Sequence, residues 1–67
     1  MKVLLQNRAT NCFLGERGNW VPMSINAKAF STGVEAIHYS VAHHLRNVQL
    51  LLRFGAERYD IALALGD

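Results

Sequence analysis

The sequence predicts a two-layer α+β domain: an antiparallel sheet of about five strands, in chain order β-β-β-α-β-β, with one amphipathic helix packed on one face. Three observations predict it. A capped segment with helical periodicity fills the middle of the chain, and the last third holds two runs of period-two alternation around a short turn. The first third breaks at turn residues into short apolar runs.

Lys2 to Asn7 reads as the first strand, with Val3 and Leu5 on one side. A turn at Arg8-Ala9-Thr10 leads to a second strand from Asn11 to Leu14. Gly15-Glu16-Arg17-Gly18-Asn19 is the next turn and delivers Trp20 and Val21 as a third strand. Pro22, the single proline, cannot donate to a ladder, so it ends that strand or holds it at an edge. Met23 to Ala29 has no firm period and fits either a short helical turn or an irregular strand.

Thr32-Gly33-Val34-Glu35 has the spacing of a capping box, in which the threonine hydroxyl accepts from the third helical amide. Val34, Ile37, Val41, Leu45 and Val48 then recur at helical spacing, with Glu35, Tyr39, His43 and Arg46 on the other side. The pattern predicts a helix from about Gly33 to Arg46, stopped at Asn47, with the apolar stripe buried.

In the last third, Leu50, Leu52 and Phe54 share one face of the first run, and Tyr59, Ile61, Leu63 and Leu65 share one face of the second. A hairpin loop of Gly55-Ala56-Glu57-Arg58 sets Phe54 opposite Tyr59, Leu52 opposite Ile61 and Leu50 opposite Leu63. The helix stripe and the Leu50, Leu52, Ile61 and Leu63 face are expected to form the core. The same register sets Arg53 opposite Asp60 on the outer face.

With 67 residues the chain is read as a single domain over 1–67. A chain this short buries only roughly 60% of its unfolded surface, so a staple or a partner subunit is expected. Cys12 is the only cysteine, which rules out a disulfide within the chain and fits a reducing cytoplasm. The apolar run Val3-Leu4-Leu5 is too short for a secretion signal, and no stretch is long enough to span a bilayer. The net charge is +2, and the arginines are scattered, without a basic run.

Phe30-Ser31-Thr32, followed by Ala36 and Val41, together with Gly18-Asn19-Trp20, resembles small uncharacterised bacterial domains that combine a short antiparallel sheet with one helix. The resemblance covers about a third of the chain and implies a bacterial housekeeping or accessory protein. It carries no catalytic residues across.

The residues with chemical potential read first as structure. His38, His43 and His44 point in divergent directions on a helix and lack the i,i+3 or i,i+4 spacing of a metal pair, so packing and surface roles are expected. Cys12 has no local basic neighbour to make a thiolate and reads as a small hydrophobe, although a spatial histidine partner is invisible to sequence. Gly15 and Gly18 precede a strand and not a helix, so they read as a turn and not a phosphate loop. Trp20 reads as a lid on the sheet edge or a stacking platform. Glu57 and Asp60 read as a turn residue and an ion-pair partner. No metal or cofactor is expected.

On the outer face of the last hairpin, Leu51 beside Ala62 and Ala64, extended by Leu4, makes a flat apolar strip that fits either a subunit interface or an ordinary solvent face. The function expected is therefore a non-enzymatic binding or protein-interaction module, acting as a homodimer or with a partner protein. The alternative is nucleic-acid binding through Arg8, Arg17, Arg53 and Arg58, with Trp20 as the stacking residue.

Overall fold

A computed structural model describes residues 2–54 and 61–65. Its elements follow the expected order: β1 Lys2–Asn7, β2 Phe13–Leu14, β3 Trp20–Val21, helix α1 Gly33–Ala42, β4 Val48–Arg53 and β5 Ile61–Ala64. All pairings are antiparallel, in one five-stranded sheet of order β3-β2-β1-β4-β5. No helix among the described residues is long and apolar enough to cross a membrane.

The central strand explains the composition of the N-terminus. Val3, Leu4 and Leu5 are consecutive and all buried, as a strand covered on both faces requires. One face carries Val3, Leu5, Leu14 and Leu50, closed by Phe30 and Ala36. The other carries Leu4, Phe13 and Leu51, with Val21 and Ala27 packed against them. The chain after Pro22 folds back against this second face. It contains a 3₁₀ turn at Ser24–Asn26, Ala27 bridges Gly15, and Ser24 accepts a hydrogen bond from the Arg53 guanidinium.

That returning segment corrects one expectation. Leu4 and Leu51 do lie on the face away from the helix, but they are only 1% and 7% exposed and are not part of an open strip. Of the residues assigned to that strip, only Ala62 and Ala64 are exposed. The hairpin register is as the alternation and turn length require: Leu50 pairs with Leu63, Leu51 with Ala62 and Leu52 with Ile61. The Phe54–Tyr59 and Arg53–Asp60 pairs, the loop at 55–58 and the residues Glu57 and Arg58 lie outside the described residues.

The helix begins where the cap predicts, with the Glu35 amide donating to Thr32 Oγ1 at 3.1 Å. It ends earlier than its periodicity implied, at Ala42. His44 takes a left-handed φ of 54°, the Leu45 amide donates to the Ser40 carbonyl and the His44 amide to the Val41 carbonyl. These two bonds form a Schellman motif with histidine where glycine is usual.

The larger correction concerns which side of the helix is buried. Ala36 and Ser40 face the core, while Val34, Ile37 and Val41 are 63%, 38% and 68% exposed. Small residues let the helix sit close to the sheet: a Cβ at Gly33 would already stand 3.6 Å from Leu50 Cδ1. Phe30 and Tyr39, in edge-to-face contact at 5.4 Å, supply the bulk that the expected stripe would have supplied. The buried Ser40 hydroxyl donates to the Ile37 carbonyl at 2.8 Å and so carries no desolvation penalty.

Candidate functional site

At about 100° per residue, the line of Ala36 and Ser40 puts Tyr39 on one flank of α1 and Val34, Ile37 and Val41 on the other. The Tyr39 flank lies toward the turn between β2 and β3, since a Cβ at Gly18 would be 3.9 Å from Tyr39 Oη. The apolar flank therefore turns toward β5. Val41 shares a cleft of about 280 Å³ with Leu45, Val48 and Leu65, beside the exposed His44 and Arg46.

The helix packs chiefly over β1 and β4 and leaves β5 largely uncovered. Pairing with Leu52 and Leu50 puts Ile61 and Leu63 on the helix side of the sheet, yet they are 48% and 46% exposed. The result is an apolar trough. The exposed Val34, Ile37 and Val41 of the helix border it on one side and the half-exposed Ile61 and Leu63 of β5 on the other, and it narrows to a cleft where Val41 meets Leu45 and Leu65. A second depression, of about 480 Å³, lies on the opposite face between Phe13, Pro22, Met23, Ile25 and Arg53.

The residues proposed for nucleic-acid contact do not share a face. Trp20, opposite Leu14, lies on the helix side at the far edge of the sheet, and Arg53, opposite Lys2, lies on the other side. Arg8 and Arg17 are exposed in turns, and Arg58 is outside the described residues. His38 is exposed, His43 stacks on Tyr39 with ring centroids 4.1 Å apart, and His44 occupies the left-handed position after the helix. Among the described residues, no three His, Cys, Asp or Glu side chains come together as metal ligands would.

Cys12 is a partly buried free thiol just before β2, its amide bonded to Thr10 Oγ1. Gly15 to Asn19 form a tight turn in which a Cβ on Gly15 would stand 2.7 Å from Asn19 Oδ1. Gly18 has a left-handed φ of 80°. Lys28 reaches over Phe30 and Tyr39 at 5.5 and 5.9 Å and pairs with Glu16 at 3.8 Å, tying this turn to the helix.

Sequence reasoning assigned both borders of the trough to the core. The signal for the alternative was present: Gly33, Ala36 and Ser40 recur at i, i+3 and i+7 and define a second, small-residue face of the same helix. The chain matches no family model, no curated protein and no solved structure.

Proposed function

We propose that the domain is a non-enzymatic protein-interaction module and that its partner occupies the trough between α1 and β5. One observation carries the reading: the apolar stripe of the helix faces away from the core, beside an edge strand whose large side chains are also left half exposed. Scattered exposed leucines are ordinary, but a contiguous apolar surface of this kind marks a site of association. Covering what these side chains leave exposed would contribute on the order of 1 kcal/mol each. A typical specific interface takes about 800 Å² from each partner, a large share of the 4539 Å² surface of this domain.

The trough is tested with the apolar dye 1-anilinonaphthalene-8-sulfonate on dilute protein. The wild type is expected to enhance its fluorescence, and Ile37→Lys with Val41→Lys to remove most of that enhancement while the helical circular dichroism and melting midpoint stay close to wild type. A double variant that unfolds would place this flank in the core and sink the reading, as would a wild type that leaves the dye dark.

A further inference from the structure

We infer that the partner is a second copy of this chain, joined edge to edge through β5; this rests on the interaction reading above and names its partner. The two margins of the sheet differ. At one, β3 is two residues long and is followed directly by Pro22. At the other, β5 presents Ile61-Ala62-Leu63-Ala64, with no charge, proline or glycine, and no described strand pairs with its outer side. Sheets that remain single protect their edges with charges, prolines or very short strands, and β3 has two of these devices where β5 has none.

The strand is also self-complementary. Alternate residues of β5 turn N–H and C=O away from β4, ready for an antiparallel partner. A two-fold axis normal to the sheet, passing by Leu63, sets Leu63 against Leu63 of the second copy, Ala62 against Ala64 and Ile61 against Leu65. Every pair then shares a face, large side chains on the helix side and alanines on the other, whereas a shift of one residue would oppose unlike faces. The two sheets become one of ten strands, built from two of five.

The same axis puts both helices on one side of the joined sheet, separated by the two β5 strands, whose Ile61, Leu63 and Leu65 from both copies make one apolar floor between them. A two-fold contact sets like against like, so any charge in it meets its own kind. Val34, Ile37, Val41, Ile61 and Leu63 carry none; Arg46 and His44 stand at the cleft that ends the strip, and Glu35 and His38 of the same helix lie outside it. A surface shaped for a different protein has no such need for neutrality.

The experiment is sedimentation of the whole chain from about 1 μM to about 1 mM, with the dye assay run in parallel. Wild type is expected to pass from monomer to dimer, and Leu63→Lys to weaken the dimer at least tenfold with an unchanged circular dichroism spectrum. Directly opposed residues of antiparallel strands have Cα atoms about 4.5–5.5 Å apart, within disulfide range. Leu63→Cys with Cys12→Ser should therefore form a covalent dimer on mild oxidation, and Thr10→Cys with Cys12→Ser should not. If Leu63→Lys fails to fold, this cross-link decides in its place. A wild type that stays monomeric but lights the dye leaves the trough to a different protein and overturns self-pairing alone; one that stays monomeric and dark overturns both readings. A dimer indifferent to Leu63→Lys and uncrosslinked at Leu63→Cys forms through another surface, which also overturns the proposal.

Discussion

His44 holds a backbone φ of 54°, a region that costs a side-chain-bearing residue roughly 1–2 kcal/mol relative to glycine. Glycine loses more entropy on folding, so His44→Gly is expected to raise stability by a net of about 0.5–1 kcal/mol in urea melts. At the other end of the helix, Thr32→Ala removes the acceptor for the Glu35 amide and should cost about 1 kcal/mol without changing the fold. The cap was legible in the sequence because it is local: the hydroxyl and the amide it accepts from are within four residues. The helix end was not legible, because nothing about a histidine announces a left-handed conformation. Asn47 was read as the stop and does take a φ of 58°, but as the second left-handed residue of the exit and not the first.

At the scale of elements, periodicity tells which residues of a helix line up, and it does not tell which line faces inward. Val34, Ile37 and Val41 make the more hydrophobic line, yet Ala36 and Ser40, with the half-buried Gly33, make the one that faces the core, because the sheet face beneath is already filled by Phe30, Leu5 and Leu50. Enlarging the small face should therefore hurt more than charging the large one. Ala36→Leu is expected to cost about 1–3 kcal/mol by overpacking, against roughly 0.5 kcal/mol or less for Val41→Lys. Equal losses in denaturant melts would show that both lines are buried. The last hairpin was read more accurately, since alternation and turn length constrain its register independently and agree on Leu50 with Leu63 and Leu52 with Ile61.

At the scale of the molecule, element order is a local property and could be read, whereas sheet order depends on contacts between distant segments. The central pairing joins Lys2 to Arg53 and Asn7 to Val48, across nearly the whole chain. Its effect on Leu4 and Leu51 was hidden for the same reason: alternation put them on an outer face, and only the path of the segment after Pro22 shows that the face is covered. That segment had no period to read. Leu51→Ala is accordingly expected to cost about 2–5 kcal/mol, and Leu51→Glu to unfold the domain rather than dissociate it, as circular dichroism would show. β1 and β4, with β2, β3 and the helix between them in the chain, meet in the middle of the sheet, so early formation of local hairpins cannot complete the core. Folding should wait on closure of the long β1–β4 loop, and Leu5→Ala should slow refolding in stopped-flow measurements more than Ile61→Ala does.

Pro22 has a further consequence once β5 is an assembling edge. A sheet with one sealed margin and one open margin has a valence of one: each molecule can join a single neighbour and then has nothing left to offer. Growth stops at the pair instead of running on into a fibre, the usual fate of flat apolar strands with two free sides. Pro22→Val, which restores a donor to the sealed margin, should raise that valence to two. Light scattering from the concentrated variant, rising with time where the wild type stays constant, is the outcome expected.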